Sequence, residues 1–484
     1  MSLPYLEKSD NIKPAKDITY NANPSNSESE TNQEQNSNNE LPPVFAHPLI
    51  ASPECLAELI KKSNETSDIT IDGFALTKNS ETRNILVHGA TGTGKSQLIA
   101  KILDSIRKRG DRAIIYDKSG FYTSRFYQEG KDYILNPFDS RCQNWSLWDE
   151  ARTVQDFENL AKSLITKHCD LDPFWINAAR AVFAGAAFAM RDAEDRSMKK
   201  LLDFLFKTKI EDLKQYLSET DAARLASDKS EKASISIHLT LITNLKLLRG
   251  LPSTEKINMA PFCIRDWIAN DKGQGWLFLT GTRGQLFSLK PLISMCLSMA
   301  TSSLLSLPEN PERRIWFVCD DFPTLNKQQH LPSALAESHK YGGCFVLGMQ
   351  NLYEIERVYD AHTTEAIRDL LNTVFYFRSR SKDAAMYVSK NLGNQKIDDM
   401  RGNYSFSSAA VCEDVPISER RIITSPDFAA KITRLKDMQC YLKLPGAYPV
   451  ALLNLKLECK KVQKSAPKQQ TFFEKLVRLL TKQK

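Results

Sequence analysis

Apolar positions recur with two different periods along this 484-residue chain, and the change of period divides it. Short apolar runs of strand length fall at Ile85 to His88, Ala113 to Tyr116, Tyr133 to Leu135, Trp276 to Leu279, Ile315 to Cys319, Cys344 to Leu347 and Val374 to Phe377, with longer helical or polar pieces between them. That alternation predicts an α/β fold with a mostly parallel sheet covered on both faces. One block breaks the rhythm. From about Asp149 to Asn258 there is no convincing strand, while Phe157, Leu160, Leu164 and Ile165, and again Leu201, Leu202, Leu205 and Phe206, keep helical spacing. An all-α insertion between the third and fourth strands is the simplest account.

The flanks add smaller elements. Cys55, Leu56, Leu59 and Ile60 form a short amphipathic stretch, and the chain alternates like a strand from Thr70 through IDGFAL. After Gly402 it becomes β-rich again, with YLKLP and PVALLNLKL paired across a turn at Gly446 to Pro449. Residues 21 to 40 hold seven Asn, four Ser and four Glu with no aromatic or branched aliphatic side chain, so nothing offsets the entropy of ordering them and a disordered tail is expected.

Composition narrows the class. A hydrophobic content of 42% allows a sizeable core, and the net charge of +7 is mild for this length. Its location is informative: residues 456 to 484 carry nine Lys/Arg against two Asp/Glu, so the rest of the chain is formally neutral. The ten cysteines are scattered without a CxxC, which points to free thiols in a reducing cytosol. The dispersed histidines give no zinc spacing, so no structural metal is expected. The start MSLPYLEKSD has no signal-peptide pattern, and Ala178 to Met190 and Leu292 to Leu307, the best membrane candidates, are too short or too Ser-rich to span.

The chemistry is concentrated at strand ends. Gly89-Ala90-Thr91-Gly92-Thr93-Gly94-Lys95-Ser96 fits GxxxxGK[ST] directly after the strand NILVH and before the helical run QLIAKILDSIRKR. In such a phosphate loop the backbone amides curl around phosphates, Lys95 neutralises β/γ charge and the Ser96 hydroxyl ligates Mg²⁺. The strand IWFVC ends in Asp320-Asp321, the form of a Walker B element: Asp320 is expected to support Mg²⁺ and Asp321 to orient water. A third strand, CFVLGM, ends in Gln350, placed to sense a γ-phosphate, although a Gln at a strand end is more often structural.

Several stretches resemble the TraD-type coupling proteins of conjugative type IV secretion, motor ATPases of the RecA-like FtsK/HerA group. They are RAIIYDKSGFYTSRFY, DYILNPFDSRCQNWSLWDE, DPFWINAARAVF, WLFLTGTRGQ, RRIWFVCDDFPTL, YGGCFVLGMQNLYEIERVY and MQCYLKLPGAYPVALLNLKL, in the family's order from about residue 82 to 457. The resemblance implies a RecA-like P-loop NTPase domain in two parts, 42–148 and 259–457, with an all-α domain at 149–258 and tails at 1–41 and 458–484. It implies a homo-hexamer that uses ATP and Mg²⁺ to thread single-stranded DNA, delivered by a relaxase or relaxosome, into a secretion channel at the inner face of the bacterial inner membrane. A docking module with weak hydrolysis, or a coupling ATPase for protein effectors, stays open beside it.

Three departures from the family accompany these expectations. The family's membrane helices have no counterpart within this sequence, so a soluble paralogue, or an anchor lost or encoded elsewhere, is expected. Asp321 stands where the family usually has Glu. His339, in ESHKYGG, stands where it usually has the Arg that acts on a neighbour's γ-phosphate, so Lys340, Arg378 or Arg380 becomes the alternative source of charge. Residues 472 to 480 suit an interfacial helix on an anionic membrane, or one that docks on a partner or packs back on the ring. Lys199, Lys200, Lys207 and Lys209 read as a solvated helix face, and Phe174 and Trp175 as core rather than as base-stacking groups.

Overall fold

The computed structural model describes residues 50–166, 173–208, 231–254, 259–392, 395–398, 420–423 and 425–457. The two expected tails, the segment 472–480 and Lys209 lie outside these residues. Ten strands make one sheet in the order β1 (Ile50–Ala51), β14 (Val450–Asn454), β13 (Gln439–Lys443), β10 (Thr373–Phe377), β4 (Ile85–His88), β9 (Gly343–Met349), β8 (Ile315–Cys319), β5 (Arg112–Asp117), β7 (Trp276–Thr280) and β6 (Tyr133–Ile134). Only β13 runs antiparallel to its neighbours in this sheet. The turn between β13 and β14 is the one expected at Gly446 to Pro449. Two antiparallel pairs stand apart, β2 (Thr66–Ile71) with β3 (Phe74–Thr77), and β11 (Gln395–Asp398) with β12 (Arg420–Ile423).

Every residue of β4, β5, β7, β8, β9 and β10 is buried. The pleat sends alternate side chains to opposite faces, and each face meets its own core. One face carries Ile85, Val87, Ile115, Trp316, Val318, Val346 and Phe375, covered by the helices Pro53–Lys62 and Lys95–Arg109 and the β2–β3 hairpin. β2 alternates exposed and buried positions along its length, as a half-buried strand must. The other face carries Leu86, Ile114, Phe317, Phe345 and Leu347, with the Phe317 and Phe345 rings stacked at 4.7 Å.

The block expected to be helical contains the helices Leu147–Glu150, Val154–Leu164, Pro173–Ala189, Met198–Lys207 and Glu231–Arg249 among the described residues. Its apolar residues are continuous with the second core, because helix Arg283–Leu305 packs against both Val154–Leu164 and Glu231–Arg249. Helix Met198–Lys207 buries Leu201, Leu202 and Leu205 and leaves Lys199, Lys200 and Lys207 in solvent, where Lys200 pairs with Asp195 and Lys207 lies 4.0 Å from Asp203.

The reading of Phe174 as core is corrected. Its side chain is 51% exposed at the first turn of its helix, edge-on to the partly buried Trp175, whereas Ile176 two positions on is buried. The apolar face of that helix begins after Phe174. No described helix is long and apolar enough to cross a membrane.

Candidate active site

In a parallel sheet the C-terminal ends of the strands present loops and helix N-termini along one edge. Here β4, β9, β8 and β5 stand side by side, so the segments following them meet. The loop after β4 is tied on both sides: the Gly89 amide donates to the Met349 carbonyl (3.2 Å) and the Ala90 amide to the Arg378 carbonyl (2.9 Å). Gly94 enters helix Lys95–Arg109 with φ +115°, a left-handed conformation that side chains rarely adopt. The helix thereby starts with its free amide ends turned toward the loop.

Lys95 is buried, and its Nζ donates to the carbonyls of Gly89 (2.7 Å) and Ala90 (3.0 Å). Burial holds this amine below its ordinary pKa, while the carboxylates of Asp320, Asp321 and Glu354 act in the opposite direction. Its neighbour His88 is fully buried. Desolvation, and then the charge of Lys95, push that imidazole down to about 4, so it is neutral at physiological pH.

Ser96 Oγ donates to Asp320 Oδ2 at 2.6 Å, across the gap between the helix start and the end of β8. A hydroxyl and a carboxylate in contact offer two oxygens to one hard dication, which is the donor set Mg²⁺ prefers. Tyr122 OH also donates to Asp320 Oδ2, at 2.8 Å. Burial and then the Asp320 charge drive the Tyr122 phenol well above its ordinary range, so it stays a donor. Asp321 takes the left-handed conformation (φ 58°, ψ 45°) at the end of β8. Its Oδ2 accepts from Lys118 Nζ at 3.2 Å and its Oδ1 from Gln350 Nε2 at 3.3 Å. Gln350 Oε1 in turn accepts from Thr91 Oγ1 at 2.7 Å, so the third strand end is wired to the phosphate loop.

The expected residues Gly89 to Ser96, Asp320, Asp321 and Gln350 are therefore brought together. Arg378 follows β10 beside the loop, but its guanidinium is engaged with Asp437 (2.7 Å). His339 and Lys340 are elsewhere. They end helix Leu331–Tyr341 and are exposed just before β9, at the edge of the sheet opposite the phosphate loop. Seven strand residues at ~3.3 Å each put them about 20 Å away along β9.

Lys118, Tyr122 and Asp117 were not singled out from sequence, although YDKSGFY ends an apolar strand in the same way as the acid pair does. Asp117 is buried, and its carboxylate accepts from Thr123 N (2.7 Å), Thr123 Oγ1 (2.8 Å) and Ser119 N (3.3 Å), fixing the turn that presents Lys118 and Tyr122.

A mostly parallel sheet with this loop, acid pair and wired glutamine at adjacent strand ends defines a P-loop NTPase of RecA-like type. Residues 68–456 match the family described as the type IV secretion-system coupling protein DNA-binding domain, and the chain belongs to that coupling-protein family. It is 39% identical over 430 residues, 88% of its length, to the coupling protein TraD of Escherichia coli (strain K12). The chain spans 59% of that relative. Among solved structures it resembles the plasmid coupling protein TrwB in complex with ADP and Mg²⁺ (TM-score 0.74, 28% identity, 88% of this chain and 96% of that one). It also resembles TrwB in complex with the ATP analogue ADPNP (TM-score 0.76, 26% identity, 90% and 99%).

Proposed function

We propose that this chain is the motor of a coupling protein that binds and hydrolyses ATP with Mg²⁺ and drives single-stranded DNA, delivered with a relaxase or relaxosome, into a type IV secretion channel. It works as a homo-hexamer at the inner face of the inner membrane. The observation that carries the nucleotide part is the contact of Ser96 with Asp320 beside a buried Lys95. The DNA part rests on the family, whose description names a DNA-binding domain.

Lys95 would neutralise the β/γ-phosphates, and Ser96 and Asp320 would hold Mg²⁺, which would supply further charge neutralisation there. Asp321 orients the attacking water. Gln350, bonded to both Thr91 and Asp321, carries the state of the loop to the strand end. His339 would act on a neighbour's nucleotide, since it lies at the far edge of its own sheet, with Arg378, which follows β10 beside its own loop, as the alternative source of charge.

The test is steady-state ATP hydrolysis with and without long single-stranded DNA, for the parent and Lys95→Ala. Stimulated turnover that Lys95→Ala abolishes, with the fold intact by circular dichroism, is expected; turnover indifferent to Lys95 refutes the assignment. A second reading, a docking module with slow hydrolysis, is favoured by Asp321 standing where the family usually has Glu. In that case Asp321→Glu raises turnover.

A further inference from the structure

We propose that Lys118 is a positioning residue for hydrolysis: it holds the Asp321 carboxylate at the reaction side of the phosphate loop and places a positive charge there from within the same chain. The inference rests on the hydrolytic reading above. β8 lies between β5 and β9, and Asp321 at its end is held by one donor from each side, Lys118 from β5 and Gln350 from β9. Each donor takes a different carboxylate oxygen, which fixes the plane of the group as well as its position.

An Asp is one methylene shorter than the Glu usual in the family, so its backbone conformation and its two donors must together set where the oxygens fall. Asp321 takes the left-handed conformation, and in it the carboxylate meets both donors. Lys118 is not a loose surface lysine. The turn bearing it is anchored by the buried Asp117, and its side chain is 35% exposed, against 23% for Asp321.

The other candidate cations are placed differently. Lys95 donates to the loop carbonyls, Arg378 is bound to Asp437, Arg380 is exposed beyond the end of β10, and His339 and Lys340 are at the opposite edge. Among the described residues Lys118 is thus the cation that hydrogen-bonds the water-orienting acid, on which Lys95 acts through its charge alone, where negative charge accumulates as the phosphoryl bond breaks.

The experiment uses the full chain with ATP, Mg²⁺ and single-stranded DNA, comparing the parent, Lys118→Ala, Lys118→Arg, Asp321→Asn and the double variant. Affinity for a fluorescent ATP analogue, KM and kcat are measured, with melting curves as a check on folding. Lys118→Ala is expected to lower kcat about tenfold or more while analogue affinity and KM move by less than about twofold, because Lys118 bonds the acid and not the loop. Lys118→Arg restores most of the rate. In the Asp321→Asn background the Lys118 change adds nothing further, since its effect passes through that carboxylate.

The proposal is overturned if kcat is unchanged in Lys118→Ala, if KM rises with kcat intact, or if the loss is equally large without the Asp321 carboxylate. A parent protein with no turnover at all overturns the hydrolytic reading, and this inference with it. A parent that turns over and a Lys118→Ala variant that matches it overturn the inference alone.

Discussion

Single side chains set the site here through the space their neighbours leave. A Cβ added at Gly348, on β9, would lie 2.9 Å from Asp320 Oδ1 and 3.3 Å from the Asp321 amide, so the carboxylate that meets Ser96 occupies room that only glycine leaves. Gly348→Ala is therefore expected to weaken Mg²⁺-dependent nucleotide binding about tenfold, with Mg²⁺-independent binding little changed; a Mg²⁺ titration of analogue affinity checks it. Gly89 to Ser96, Asp320 and Asp321 were legible because each lies in a contiguous motif whose spacing states its chemistry. Lys118 and Tyr122 were not, because their partners are some two hundred residues away in sequence and meet them only across adjacent strand ends.

Elements are locked together by a charge cluster away from the site. Glu81, in the helix Lys78–Thr82, accepts from Arg109 at 3.0 and 2.7 Å, from Arg314 at 3.3 Å and from Ser67 of β2, joining the hairpin, the phosphate-loop helix and the entry to β8. Burial alone would raise this carboxyl, but the bonds from Arg109 and Ser67 and the charges of Arg109 and Arg314 bring it below its ordinary value. A lowered acid stabilises the fold above its unfolded-state pKa, and that stability is lost as pH falls through the folded-state value. Melting temperature should therefore drop on going below about pH 4.5, more steeply in the parent than in Glu81→Gln. At pH 7 the variant should itself be less stable, by about 3 kcal/mol, since it leaves partly buried arginines short of a partner. The buried strands β4, β5, β7, β8, β9 and β10 needed no such tertiary information, since their uninterrupted apolar runs identified them and their spatial order was what stayed hidden; the short β1 and the polar β11 and β12 gave no such signal. The apolar run after Pro173 does not say where the buried face of its helix begins, which is why Phe174 reads as core in the sequence although it is exposed.

At the scale of the molecule, the distance between His339 and its own phosphate loop makes its role a question of assembly. In the proposed ring, a group about 20 Å from its own loop along β9 would serve hydrolysis in a neighbouring subunit. Turnover per chain should then rise with protein concentration as rings form, and His339→Arg should raise the plateau without changing turnover at dilutions where mass photometry shows monomers. An equal gain in the monomer would assign the effect to something other than contact between subunits. The sequence by itself determined the class of fold, the phosphate loop, the acid pair and the family, because each is carried by residues contiguous in the chain and by the period of apolar positions. Tertiary structure alone decided which strand ends are neighbours, and so that Asp321 is held by Lys118 and Gln350, that Asp320 receives both Ser96 and Tyr122, and that Arg378 is engaged by Asp437. The physical reason is that hydrophobic periodicity reports which face of an element is buried and not which other element buries it, whereas hydrogen bonds and charge pairs form only where the packed sheet brings distant strand ends within about 3 Å.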